Sequence, residues 1–552
     1  MDQRLVKMTT GPQGLGVSFS NSERFLIGVL QDFRNSKPPG VAARLEIRFT
    51  GTPLCDKLRG LETGEVELTS TTLSCKRFRL ELAGFFLSYG VRYIRRATAY
   101  GVDPIFHIDT ASDEEPGEPP CVATARANIF GLNVTFCDFR ALSSHYSVSH
   151  NTAHDHASRR EATIDTIAYN VITETLEDLT GYGRHDIYHG IIRTPLPSYS
   201  TFQYDPFRII RLTRLACDLQ YKLALSTLRA MSDVNFHQDL LDMLMTAQYG
   251  QRQFGVEIME LLRCRDPLKG MWIIHRSGLY SPLFVSITLR RELELVYPHR
   301  RAYHCPFWPY TYDNVYGIVN CLMNEGSTRY NNVASYLDGI GPEDTWLTAA
   351  FSHLAQLRPM PTAPEERATI LKAIIDSLEA INPDTKISCQ LRLALSNLDD
   401  IQLCVDKVAK NQVRKPKTIG LPLRCWGRTW RFQVFYSMLA ELAYQGANFE
   451  TCTRVMRRYE RFASYIDQQL LAFAVHMTPL LDRQSLWDLF RVDEEECVTT
   501  AILEAVVCWQ LDHPGGSREA AIEWLSHTLL PISRDRTNSH SDLPIKLKRG
   551  ER

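Results

Sequence analysis

Asp205, Arg208, Arg211 and Arg214 place one carboxylate and three guanidinium groups three residues apart, in DPFRIIRLTR. On a helix that spacing lines them along one face. A carboxylate beside a guanidinium offers an acceptor and a paired donor in fixed geometry, suited to the polar edge of a planar ligand. The other arginines can grip phosphate through two parallel hydrogen bonds. A solvated ion pair on an amphipathic helix is the commoner origin of such spacing, so the pattern needs company to mean more.

Other clusters say less. His145, His150, His154 and His156 crowd SSHYSVSHNTAHDH. Histidine is the commonest metal ligand, but no cysteine accompanies the run, and a polar loop is the better reading. Between residues 407 and 431, Lys407, Lys410, Arg414, Lys415, Lys417, Arg424, Arg428 and Arg431 interleave with Trp426 and Trp430. Cations with aromatics suit the RNA backbone and base stacking; a solvated loop between helices explains them equally well. Cys55 stands alone, with no predictable His or Asp to activate it as a nucleophile.

The elements that must position these groups change character along the chain. Residues 1–40 are rich in Gly, Ser and Pro, with a helical patch at 23–33, and are expected to be flexible. Strands are predicted at 45–49, 65–68, 91–94, 122–129 and 132–136, and a helix at 77–89, from alternating and helical apolar spacing. The acidic, Pro-rich DTASDEEPGEPP reads as a solvated insertion. From about Tyr204 everything reads helical, clearest at Phe254/Ile258/Leu261, Ile370/Ile374/Leu378 and 430–444. The fold class is therefore α+β: a small α/β head before an all-helical neck, body and tail.

Composition sets outer bounds. The 552 residues are 44% hydrophobic and 23% charged, more than one core usually organises. No apolar run approaches the roughly 18–20 residues of a membrane helix. Sixty-two basic against 63 acidic residues give a net charge of −1. Any nucleic-acid contact must then come from a local basic surface. Fourteen scattered cysteines without a CxxC pair argue against a zinc ribbon or a secreted disulfide scaffold. The N-terminus has neither a secretory signal nor a convincing mitochondrial presequence, and Met8 offers a second start.

Three motifs in register over residues 159–219 carry a resemblance. RREATIDTIAYN, then LEDLTGYGRHDIYHGIIRTPLP, then DPFRIIRLTRLACDL resemble RRDxTxN, DxxxGxxDL with RTP, and (E/D)DPxRxxRxxRF of class II tRNA nucleotidyltransferases, the CCA-adding enzymes, fungal ones especially. Upstream, GTPLCDKLRGLETGEVELTS resembles the family's GGxVRDxLLG…DxD segment, and ATARANIFGLNVTFCDFR its next strand pair. The likeness spans roughly residues 42–265. It implies a flexible segment (1–40), a nucleotidyltransferase-like head (41–195), a neck (196–290), a body and tail (291–535) and a disordered end (536–552). It also implies that Gly51, Asp56, Arg159, Arg160, Asp205, Arg208 and Arg211 hold nucleotide, with Asp205 and Arg208 reading the base edge of CTP and ATP. Lys410, Arg414, Lys415, Lys417 and Arg428 would touch RNA in the family's tail.

The departures fall on the catalytic groups. In the family, two aspartates and a third carboxylate hold Mg²⁺ for the transfer. Here Glu65 and Glu67 take the DxD places, each one methylene longer, and Thr135 takes the third. Thr52 replaces a glycine, Cys55 an arginine, Glu161 an aspartate, Asp165 an asparagine, and Tyr204 the acid before Asp205. The resemblance thus implies a catalytically impaired protein binding tRNA or a tRNA-like RNA in RNA processing or a ribonucleoprotein, with room for other protein subunits and no membrane or DNA partner. The alternative is an active CCA-adding enzyme using Glu65 and Glu67, with Mg²⁺ and CTP/ATP as cofactor and substrates; without activity no cofactor is expected. A third reading is a scaffold making protein contacts alone. The expected setting is intracellular, with nucleus, cytoplasm and mitochondrion all open.

Overall fold

The computed structural model describes residues 16–70, 72–108, 124–137, 157–158, 160–237, 248–285, 330–337, 340–352, 372–377, 385–445, 449–490 and 496–528, with isolated positions between. The expected acidic insertion, the histidine-rich loop, Arg159 and the C-terminal end lie outside the described residues. The chain divides into two compact units, Met1–Pro282 and Leu283–Arg552.

In the first unit, α1 (Asn21–Asn35) begins at Ser20. Its hydroxyl accepts from Glu23 N while Ser20 N donates to the Glu23 carboxylate at 2.8 Å, a reciprocal cap. Leu26, Leu30 and Phe33 on this helix are fully buried. The segment expected to be flexible up to residue 40 therefore contributes a helix to the core of the head. A short turn α2 (Pro39–Ala42) leads into β1 (Ile47–Thr50), and α3 (Gly51–Leu58) follows directly.

The strands β2 (Glu65–Ser70), β3 (Phe106–Ile108), β4 (Thr124–Ile129), β5 (Leu132–Cys137), β6 (Ile167–Asn170) and β7 (Thr175–Asp178) join β1 in one sheet of order β3-β4-β5-β2-β1-β6-β7. β2 and β5 run parallel with Glu67 opposite Thr135; the other described pairings in this sheet are antiparallel. Phe130 and Gly131 both take positive φ, 57° and 77°, as a two-residue hairpin matched to strand twist requires.

Alternation along β2 separates the two faces. Val66 and Leu68 are buried; Leu68 lies opposite Phe136, whose ring meets Phe78 of α4 (Cys75–Ala99) at 5.2 Å. Phe78 in turn stacks on Phe33 of α1 at 5.8 Å. Helices α1 and α4 thus cover one face, and Glu65, Glu67 and Thr135 lie on the other. The strand expected at 91–94 is absent because α4 runs through it. Gly90, Tyr93 and Ala97 continue the helix's buried stripe, and the β-branched Val91 and Ile94 are its exposed side.

Helices α5 (Gly183–His189), α6 (Ser198–Tyr204), α7 (Arg208–Asp218), α8 (Leu225–Met231), α9 (Gln248–Arg263) and α10 (Pro267–Arg276) complete the described core of this unit. The expectation of pure helix beyond Tyr204 is corrected by a small parallel pair, β8 (Ile191–Ile192) with β9 (Lys222–Leu223). Phe254, Ile258 and Leu261 are buried, as their spacing predicts.

The described part of the second unit is helical. It comprises α11 (Asn331–Ala334), α12 (Pro342–Ser352), α13 (Thr385–Ser396), α14 (Leu398–Ala409), α15 (Lys417–Trp426), α16 (Trp430–Gln445), α17 (Phe449–Gln468), α18 (Arg483–Phe490), α19 (Glu496–Asp512) and α20 (Arg518–Thr528), with short 3₁₀ turns. Phe351, Phe435, Tyr436 and Tyr459 fill its middle, and Arg458 ties Asp406 to Glu441. Leu481, Leu486, Ile502, Val506 and Leu525 form a further cluster. No helix among the described residues is long and apolar enough to cross a membrane.

Candidate active site

The open face of the sheet gathers charge around Glu67. Thr50, paired with Glu67 across β1 and β2, donates its hydroxyl to Glu67 Oε1 at 2.7 Å. Arg160 closes on the same carboxylate, with Nη2 on Oε1, Nη1 at 3.4 Å from Oε2, and a further hydrogen bond to Thr50 Oγ1 at 3.2 Å. Burial works against the Arg160 charge, but Glu67, with Cys137 and Asp165, outweighs it and holds the guanidinium above its usual range. Gly51 has φ +77°, and a Cβ there would collide with the Glu67 carboxylate. Glycine at that position is therefore a requirement of close approach.

Asp165 lies among these charges. Burial pushes its carboxyl up to about 7; Arg160 pulls the other way, while Glu67, Glu161 and Asp56 reinforce the rise. Asp56 accepts from Arg59 at 2.8 Å and is raised by burial, against Arg59 and with Glu65. Cys55 is buried, and burial drives its thiol well above the ordinary range, consistent with its lack of a nucleophilic role.

The second half of the site differs from the helix the sequence suggested. Asp205 does not share a helix with Arg208: it ends α6 in an extended conformation, and α7 begins only at Arg208. Pro206 explains the break, since a proline disfavours helix in the residue before it. Asp205 still meets the arginines. Arg211 donates to Asp205 at 2.5 Å, to Glu161 at 2.9 Å and to Glu257 of α9 at 3.4 Å. Arg208 lies 3.7 Å from Asp205 and 3.6 Å from Glu161, and reaches Arg160 O at 3.4 Å. Arg214 faces Glu260 at 3.8 Å. Burial opposes the charge on Arg211, but Glu161, Asp205 and Glu257 together raise it. Arg160 Nε and Arg214 Nε are buried without a hydrogen-bond partner among the described residues.

The middle motif is scaffold. Asp178 accepts from Gly181, Gly183 and Arg184 N at 2.9, 3.1 and 3.0 Å, capping α5. Asp186, fully buried, takes a two-pronged contact from Arg193 at 2.9 and 3.1 Å and the Thr163 hydroxyl at 2.6 Å. These bonds pin the segment holding Arg160 and Asp165 to the turn before α6.

Mg²⁺ takes a near-octahedral shell of oxygens, and the acids on this face are partly engaged already. Glu67 is engaged by Arg160 and Thr50, Thr135 is neutral, and Arg126 stands opposite Thr135 on β4. Among the described residues no three acids, histidines or cysteines form a metal-binding group. Sequence reasoning assigned no role to Asp165 and Glu161 beyond changed motif letters. The signal was available, because acid replacing amide at a motif position adds a charge that something must answer.

In the second unit, Lys410, Arg414, Lys415 and Arg428 are exposed, and Lys417 is half-buried against Asp512 at 3.3 Å. Trp426 and Trp430 are buried at 2% and 4% exposure. They belong to the core and offer no face to a base, which corrects the stacking expected of them.

The sheet with its two-helix backing and the following helices is the fold of the CCA-adding enzymes. A solved CCA-adding enzyme in complex with ATP superposes with a TM-score of 0.53 at 15% identity, over 92% of this chain and 94% of its own. No family model matches the chain. In sequence the protein is similar to fungal tRNA nucleotidyltransferases along most of its length. It is 24% identical over 507 residues to the mitochondrial CCA tRNA nucleotidyltransferase of Candida glabrata, covering 88% of this chain and 91% of the relative. It is 23% identical over 537 residues to that of Saccharomyces cerevisiae, covering 93% and 94%. The likeness read from three motifs thus extends well beyond residue 265.

Proposed function

We propose that the protein binds tRNA, or a tRNA-like RNA, together with CTP or ATP, in a nucleotidyltransferase-type site that polymerises poorly. The observation that carries this reading is the Arg160–Glu67–Thr50 cluster facing Thr135. Where a divalent cation would need an open carboxylate, the protein supplies its own cation. Arg160 and Arg211 would meet the triphosphate, and Asp205 with Arg208 the base edge. The tRNA partner is supported by the names of the fungal relatives and by the exposed basic residues Lys410, Arg414, Lys415 and Arg428. The same names support the mitochondrion over the other compartments.

A second reading, active CCA addition with Glu65 and Glu67, is favoured by the near full-length similarity to relatives bearing that activity in their names. The test is incorporation of labelled CTP and ATP into tRNA lacking its 3′ end, with Mg²⁺ and then Mn²⁺. The proposed function expects salt-sensitive tRNA binding and incorporation at least 10²-fold below a CCA-adding enzyme assayed alongside, in line with the sensitivity of catalysis to displacements of about 1 Å. Comparable incorporation abolished by Glu65→Ala establishes the second reading instead. Absence of tRNA binding defeats both.

A further inference from the structure

Away from the nucleotide groups, Cys217 and Cys264 form a matched pair. Cys217 is the penultimate residue of α7, and Cys264 directly follows α9. The segments around them are tied at several points. Arg265 N donates to Asp218 Oδ1 at 2.9 Å, Lys269 Nζ to Ala216 O at 3.0 Å, and Gln220 Nε2 to Asp266 Oδ2 at 3.4 Å. The neighbours of each cysteine are thus bonded to neighbours of the other. The two thiols also influence each other, Cys217 being raised and Cys264 lowered by their interaction. Cys217 is fully buried, and Cys264 is partly open to solvent.

We infer that Cys217 and Cys264 are an oxidation site, a dithiol that a hydroperoxide converts into a disulfide joining α7 to the end of α9.

Geometry assigns the two roles. Only Cys264 is reachable from solvent. Interaction with Cys217, helped by the Asp266 N–H, favours its thiolate against burial. The thiolate is the reactive form. Cys264 attacks one peroxide oxygen: an S–O bond forms, the O–O bond breaks, and the leaving hydroxide takes a proton to become water (an alcohol for an alkyl peroxide). Cys217 sulfur then attacks the Cys264 sulfenic sulfur; the S–S bond forms, the S–O bond breaks, and a second water leaves with the Cys217 proton. Two thiols lose two electrons, and the peroxide gains them.

The cross-link would restrain the helices that hold the arginines. Cys217 sits one turn beyond Arg214 on α7, while α9 carries Glu257 and Glu260 against Arg211 and Arg214. Fastening their ends together fixes that charge register.

The test uses the full chain, reduced and then given one equivalent of hydrogen peroxide at neutral pH, with thiols alkylated before digestion. The expected product is a peptide pair joined at 217 and 264, lighter by two hydrogens and separated again by dithiothreitol. Cys217→Ser should leave Cys264 as a sulfenic acid trapped by dimedone. Cys264→Ser should slow the oxidation of Cys217 at least tenfold relative to the wild type. Exposed Cys425 supplies the rate of an ordinary thiol. The inference is overturned if wild-type Cys217 and Cys264 remain alkylatable, if Cys264 passes to sulfinic acid without cross-linking, or if Cys425 reacts as fast.

Discussion

Arg160 and Glu67, 93 residues apart in sequence, share one salt bridge on the open face of the sheet, and Thr50 completes it from the neighbouring strand. The bridge neutralises the acid best placed to hold a cation. It also leaves Arg160 with a buried Nε directed to no described partner. In the proposed function, this pairing is what competes with a metal for Glu67.

Removing one partner of this bridge should cost more than removing both. Arg160→Ala leaves the Glu67 carboxylate half-buried without its cation. Truncating one member of a fully buried pair costs about 3–5 kcal/mol, so about 2 kcal/mol is expected for this partly exposed one. Glu67→Ala/Arg160→Ala should recover part of that loss. Urea unfolding of the four proteins of the cycle measures it, and additive costs would mean that the bridge carries no coupling.

Asp165 predicts a pH dependence with a definite sign. Its folded carboxyl titrates at about 7 against 3.8 for an ordinary aspartate, so between those values the native state binds the extra proton. Stability then falls as pH rises from about 4 to about 7, and the loss is complete above the folded value. About three pH units at 1.36 kcal/mol each put the effect on the order of 4 kcal/mol at most. Asp165→Asn should flatten this slope and stabilise the protein at pH 8. A slope unchanged in the variant would assign it to another group.

The exposed basic residues of the second unit make a prediction about RNA. Replacing Lys410, Arg414, Lys415 and Arg428 together by alanine should weaken tRNA binding at low salt. It should also lower the slope of log affinity against log salt by about 3–4, one phosphate contact per residue. Trp426→Ala should act differently, destabilising the unit by about 3–5 kcal/mol because a core aromatic is lost. Filter binding across a salt series and thermal melts separate the two.

Much of the head was legible because alternation and helical spacing are local. The strands expected at 45–49 and 65–68 match β1 and β2, although β1 is buried on both faces, and the helical patch at 23–33 lies within α1. The extent of α4 was not legible: Val91 and Ile94 favour strands intrinsically, and only the buried stripe through Gly90, Tyr93 and Ala97 keeps the segment helical. At the site, the spacing of Asp205 and Arg208 suggested one helix, but Pro206 divides them. The contacts of Asp165, Glu161 and Glu257 join segments far apart in the chain, and no local pattern encodes those distances. The two tryptophans look alike in sequence whether they face solvent or core; burial decided for the core.

Gly51 joins backbone and site in one measurable effect. A residue with a side chain at φ +77° costs roughly 1–2 kcal/mol in backbone strain. The added Cβ must also displace the Glu67 carboxylate, which Thr50 and Arg160 hold in place. Gly51→Ala should therefore destabilise the protein by about 2–3 kcal/mol, strain and displacement together. In a Glu67→Ala background the collision disappears, and the cost of Gly51→Ala should drop to the backbone part alone. An equal cost in both backgrounds, read from urea midpoints, would show that the glycine answers only to the turn into α3 and not to the carboxylate above it.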